Sequence, residues 1–126
     1  MRGLHFQNEP YAQSKLVRAS FGSIQDVVVD LRKESDTFRE YRSFCLSDKS
    51  GDMLFIPKGF AHGFIVLSEG AIFAYKVDEY FSAEHNEGIA YNDKDIAIDW
   101  GLSETDIKLS IQDQNNPNLV NIKKLL

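Results

Sequence analysis

Cysteine, histidine, basic charge and long apolar runs are all scarce in this chain. Its single cysteine, Cys45, excludes an internal disulfide and favours a reducing compartment. As a free thiol it is expected to be a small buried residue. No apolar run approaches the roughly 20 residues that a membrane-spanning helix needs. The opening "MRGLHFQ" lacks the apolar stretch of a secretory signal. A cytoplasmic location without membrane contact is therefore expected. Lys and Arg number 14 against 19 Asp and Glu, and the net charge of −5 argues against nucleic acid as a partner. A local basic pocket built from Arg2, Lys15, Arg18 and Lys58 stays compatible with that balance. The three histidines, His5, His62 and His85, form no His-x-His pair. A metal-dependent site normally needs three protein ligands, so no metal is expected.

What is present is a succession of short β-branched and aromatic runs separated by turns. "KLVRAS" (15–20), "IQDVVVDLR" (24–32), "TFREYRSFCL" (37–46), "MLFIP" (53–57), "HGFIVLS" (62–68) and "AIFAYKVDEYF" (71–81) read as strands. Gly22, "SDKSGD" (47–52) and "EGA" (69–71) supply turns. No amphipathic helix separates these strands, which predicts an all-β sandwich or barrel. Pro57 is placed to close a strand. Beyond residue 82 the periodicity fades. The alternation of Ile96, Ile98 and Trp100 predicts one short strand packed on the body. A turn at "QNNPN" and a short amphipathic helix from residue 118 are expected in an otherwise irregular tail. At 126 residues the chain reads as one domain, 1–126, able to bury about two-thirds of its unfolded surface.

Several residues carry potential chemistry. Arg2, His5 and Gln7 alternate with small or apolar residues in "MRGLHFQ". An unperturbed histidine titrates near pH ~6.5 and suits a base at neutral pH, which makes His5 and His62 acid–base candidates. His62 lies in "PKGFAHGF", a turn entering a strand, where it either serves a site or satisfies nearby backbone groups. His85, in a polar acidic stretch, reads as a histidine that satisfies nearby backbone groups. Tyr75, within "IFAYKV", is either core or a proton donor into a barrel. Lys15 is either an edge lysine or a functional cation. Asp26, set among apolar strand residues in "IQDVVVD", must be paired if buried. Asp113 says nothing alone.

Taken together, "RGLHFQ", "SKLVRASFGSIQDVVVDLRKESDTF", "LFIPKGFAHGFIVLSEGAIFAYKVDEYFS" and "GIAYNDKDIAIDW…LSIQDQNNPNL" resemble, in order, the RmlC family of dTDP-4-dehydrorhamnose 3,5-epimerases. The resemblance implies a cupin-type jelly-roll barrel. It also implies epimerisation, without metal or cofactor, at the two carbons flanking the ketone of a nucleotide-linked 4-keto-6-deoxyhexose. It assigns His5 as general base, Tyr75 as the acid on the opposite face, Lys15 as the enolate-stabilising cation and Asp113 as the support of the histidine. Arg2, Gln7, His62 and Asp26 fall to substrate binding, Arg2 holding the diphosphate and Asp26 partnering His62. A homodimer is implied as well. Family members carry strands before "RGLHFQ", and this chain is expected to lack them. Phe81 stands where many members have tyrosine, and Gln112 where lysine is common. The alternative expectation is a shortened, non-catalytic cupin that binds a nucleotide sugar or a partner subunit.

Overall fold

The run Ser23–Asp30 is the most buried strand, and its alternation builds both layers of the molecule. Val27 and Val29 point to one face of the sheet, Ile24, Asp26 and Val28 to the other. A computed structural model describes residues 1–122. Its strands are β1 (Arg2–Gln7), β2 (Lys15–Phe21), β3 (Ser23–Asp30), β4 (Tyr41–Ser47), β5 (Leu54–Ile56), β6 (Phe60–Val66), β7 (Ile72–Val77) and β8 (Asn86–Gly88). They form two antiparallel sheets, ordered β4-β3-β6-β1-β8 and β5-β2-β7. The fold is the all-β jelly roll of the cupin type.

Each face of the larger sheet has its own apolar cluster. Val17, Ala19, Ile24, Val28, Leu46 and Ile56 fill the space between the two sheets. On the outer face, Leu4, Phe6, Val27, Val29, Ala61 and Ile65 are covered by Ile89, Ile96, Trp100 and Leu119 from the C-terminal wrap. Each fully buried aliphatic side chain contributes roughly 1.5–3 kcal/mol over exposure. That scale explains how an irregular tail stays docked.

The structure shortens or moves several expected elements. The strand expected over 37–46 begins at Tyr41, because residues 36–39 turn around the Asp30 carboxylate. Ile96, Ile98 and Trp100 do pack on the body, yet in turns rather than a strand. The Asp93 carboxylate accepts from the backbone N–H groups of Asp95, Ile96 and Leu119, in place of strand pairing. The helical segment of the tail is α1 (Ile111–Gln114), upstream of the expected position. At 119–121 there is only a 3₁₀ turn, and the rest of the expected helix lies outside the described residues. Cys45 is exposed, since it sits on the edge strand β4.

Candidate active site

Two glycines set the geometry of the site. Gly3 on β1 meets Gly63 on β6, where the strands come unusually close. A Cβ on Gly3 would lie 2.5 Å from the Gly63 Cα and 2.8 Å from the His62 carbonyl oxygen. Gly3 also has φ +107°, a conformation that favours glycine. The resulting register places His5 opposite His62. Facing them from the smaller sheet are Lys15 on β2 and Tyr75 on β7, which lies opposite Val17. These four residues and Arg2 line one cavity of about 780 Å³.

His5 Nε2 lies 2.6 Å from Asp113 Oδ1, a contact that spans 108 positions of sequence. A carboxylate only accepts, so Nε2 carries the proton and Nδ1 is left with the lone pair. Asp113 is buried, and its other oxygen, Oδ2, accepts from Ser110 Oγ at 2.9 Å. Arg2 Nε is 3.8 Å from the same Oδ2. Burial is the main influence that lowers the His5 pKa below its ordinary 6.5. The charge and hydrogen bond of Asp113 oppose it, while Arg2 and Lys15 add to the lowering. His5 is therefore a neutral base at neutral pH.

A second imidazole–carboxylate pair lies behind the first. His62 Nδ1 stands 3.5 Å from Asp26 Oδ2, an ion-pair separation without a hydrogen bond. Asp26 is completely buried, and neither of its oxygens has a hydrogen-bond partner among the described residues. Lys15 feels that carboxylate: burial lowers the ammonium pKa from 10.5, and Asp26 works in the opposite direction. Lys15 is thus no edge lysine. It sits on the central strand of the smaller sheet, and its head faces a buried anion.

Tyr75 is not core, being 64% exposed towards the cavity. Its ring lies 6.2 Å from that of Phe73, which is 4.5 Å from Phe64. Phe64 and Phe73 give the cavity an aromatic floor beside His62. Tyr80 and Phe81, 85% and 71% exposed, stand at its mouth. Gln112, next to Asp113, and Asn86 complete the rim.

The structure does not bring Gln7 or Asp26 to the cavity surface. Gln7 Nε2 donates to the carbonyls of Tyr11 and Tyr80, and Gln7 Oε1 accepts from the Ser82 N–H. Its amide is spent on the backbone. Asp26 lies beneath His62. The His85 ring, expected to serve nearby backbone groups, instead shares a hydrogen bond with Ser82 Oγ at 2.8 Å and packs at a tilt against Tyr11. Phe64, Phe73 and Ser110 were not singled out in the sequence. The first two carry a period-2 signal shared with His62 and Tyr75, and Ser110 opens an S-x-x-D helix start. Among the described residues no group of three His, Cys, Asp or Glu is arranged to hold a metal ion, and no helix is long and apolar enough to cross a membrane.

A neutral imidazole held by a carboxylate, a phenol facing it from the other sheet and a buried ammonium form a set that can move protons on carbon. Such a set offers a base on one side, a cation for charge developing on oxygen, and a proton donor on the other side.

Comparison with known proteins points the same way. The family model described as dTDP-4-dehydrorhamnose 3,5-epimerase matches residues 1–121. The dTDP-4-dehydrorhamnose 3,5-epimerase of Methanothermobacter thermautotrophicus is 49% identical over 116 residues, covering 91% of this chain and 62% of that protein. The solved structure of the Bacillus anthracis dTDP-4-dehydrorhamnose 3,5-epimerase with TDP and PPi bound superposes with a TM-score of 0.90. The two are 49% identical, covering 94% of this chain and 66% of that one. The Legionella pneumophila dTDP-6-deoxy-D-glucose-3,5-epimerase in complex with dTDP-4-keto-L-rhamnose superposes at 0.91 with 44% identity, over 96% of this chain and 63% of that one. The chain spans 60–62% of the length of the first curated relatives it matches.

Proposed function

The chain belongs to the dTDP-4-dehydrorhamnose 3,5-epimerase family, and from that premise we propose that it inverts C3 and C5 of a dTDP-linked 4-keto-6-deoxyhexose without a metal or other cofactor. The observation that carries this reading is the His5–Asp113 pair facing Tyr75 across a cavity that also holds Lys15. The ketone at C4 acidifies the neighbouring C–H bonds. His5 removes one such proton through Nδ1, and the imidazolium formed is stabilised by Asp113. The electron pair moves onto the ketone oxygen, where Lys15 meets it. A cation aimed at developing oxyanion charge contributes about 3 kcal/mol, by analogy with single oxyanion donors. Tyr75 returns a proton to the opposite face of the planar enolate and is reprotonated from solvent, to which the His5 imidazolium gives up the proton it took. Repetition at the second carbon completes the reaction.

Arg2, on the exposed side of the pair, suits the diphosphate through charge-assisted hydrogen bonds. His62 and the aromatic floor suit the sugar ring. A homodimer and a cytoplasmic setting belong to the same proposal.

Deuterium wash-in tests it. In D₂O, dTDP-4-keto-6-deoxyglucose should take up deuterium at C3 and C5. Folded protein that incorporates none would defeat the proposal, and dTDP binding without exchange would favour a non-catalytic binder. His5→Asn should lower exchange at both carbons by about 10²–10⁴-fold, the usual contribution of a general base. Tyr75→Phe should retain exchange better than inversion, because only the return of the proton is impaired. Equal loss of both would remove Tyr75 from the role of acid.

A further inference from the structure

Asp113 is held by more than the histidine it supports. The Ser110 hydroxyl oxygen accepts from the Asp113 backbone N–H at 3.1 Å, and its hydrogen is donated to Asp113 Oδ2 at 2.9 Å. One side chain therefore grips both the backbone and the carboxylate of Asp113. The first bond is an ordinary N-cap of α1. Capping does not require the second. We propose that Ser110 is a positioning residue, whose hydroxyl hydrogen locks the Asp113 carboxylate so that Oδ1 meets His5 Nε2.

The competing donor makes that lock consequential. Arg2 Nε, 3.8 Å from Oδ2, belongs to a side chain that is 64% exposed. With the Ser110 donor absent, Oδ2 is a buried carboxylate oxygen whose remaining cation is Arg2. Rotation of the carboxylate towards Arg2 satisfies it and draws Oδ1 away from His5. The inference rests on His5 acting as the base, and Ser110 itself lines no part of the cavity. It acts through Asp113.

Three substitutions separate locking from capping. Ser110 is exposed, so Ser110→Thr has room for its methyl and keeps both bonds. Ser110→Gly keeps an acceptable N-cap, worth only a few tenths of a kcal/mol less, and has no donor. Ser110→Ala lacks both. Exchange into dTDP-4-keto-6-deoxyglucose should stay within about threefold of wild type in Ser110→Thr. It should fall about tenfold to a hundredfold in kcat for Ser110→Gly and Ser110→Ala, with KM little changed, as expected for a misaligned reacting group. In an Asp113→Asn background, Ser110→Gly should cost nothing more, because the effect passes through that carboxylate.

The His5 titration, followed by NMR, reads the same lock without substrate. The charged groups around His5 are Asp113 on α1, Arg2 on its own strand and Lys15 on β2, with His62 opposite on β6. Ser110→Gly weakens the Asp113 contact that raises the midpoint, so the midpoint should fall. Ser110→Thr should leave it in place. Wild-type exchange and an unmoved His5 midpoint in folded Ser110→Gly would overturn the proposal and leave Ser110 as a cap. If wild type itself exchanges no deuterium, the functional reading fails, while the titration still decides the role of Ser110.

Discussion

Asp26 is the residue whose situation most needs a reason. A buried carboxylate without hydrogen bonds destabilises a fold, and replacing such groups is often neutral or stabilising. Its charge raises the Lys15 pKa against the lowering that burial causes. Asp26→Asn is therefore expected to hold or raise the melting temperature while lowering activity. In the proposed mechanism Lys15 acts as a cation, so activity should be lost as pH rises through its pKa. Removing the raising influence of Asp26 moves that alkaline limb to lower pH. A pH–rate profile checks it, and an unmoved alkaline limb would detach Asp26 from Lys15. In the proposed mechanism His5 is the neutral base, so the acidic limb should lie below 6.5. Asp113→Asn removes the charge that raises the His5 pKa and leaves only a neutral acceptor, so its residual activity should show an acidic limb at still lower pH. A limb moving towards 6.5 or above contradicts the arrangement.

Between elements, the decisive contacts are side chains spent on backbone. Gln7 ties β1 to the 80–82 segment that carries Tyr80 and Phe81 at the cavity mouth. Gln7→Met keeps length and removes those bonds, so KM for the nucleotide sugar should rise about tenfold with kcat nearly unchanged. A drop in kcat alone would place Gln7 at the reacting sugar instead. Asp30 plays a comparable part after β3, accepting from Arg32, Ser35 and Thr37 as the chain turns towards β4. These bonds, that of Arg32 first, hold its pKa far below the usual carboxylate range. Its stabilisation is thus complete above the unfolded-state value of about 4 and fades as pH falls further. Asp30→Asn should consequently flatten the acid side of the stability curve. An identical acid slope would show that the carboxylate charge is not what closes this turn.

The same contacts explain what was legible in the sequence. β2, β3 and β6 announce themselves through β-branched and aromatic runs, whereas His5, Lys15, His62 and Tyr75 are joined into one set only by the resemblance of their segments to the epimerase family. The tail carries no such runs. Asp93 replaces ladder pairing there with three bonds to backbone N–H groups, so Ile96, Ile98 and Trp100 alternate without forming a strand. Asp113 was silent for a related reason: its meaning is a contact across 108 positions. Gln7 looked functional because it shares a face with His5, but its partners are loop carbonyls that no spacing reveals. Cys45 was expected inside by residue type, whereas the edge position of β4 leaves it exposed.

At the scale of the whole molecule, the site depends on the tail. His5 and Lys15 stand on the two sheets, whereas Asp113 arrives on α1 at the end of a wrap held by Ile96, Trp100 and Leu119 against the outer face. Asp93 bonds to Leu119 N as well as to the turn before Trp100, so it links the two ends of that wrap. Asp93→Ala strands three backbone donors, two of them buried, and leaving such groups unpaired costs about 1–3 kcal/mol each. That loss should loosen the wrap and withdraw Asp113, lowering activity although Asp93 lies far from the cavity lining. Trp100 is the only tryptophan, so its fluorescence reports docking of the wrap directly. In a urea titration, activity and Trp100 fluorescence should be lost together, ahead of the far-ultraviolet signal of the sheets, with the gap widening in Asp93→Ala. Coincidence of all three transitions in both proteins would mean that the wrap and the sheets unfold as one unit, and that Asp113 leaves His5 only when the barrel itself opens.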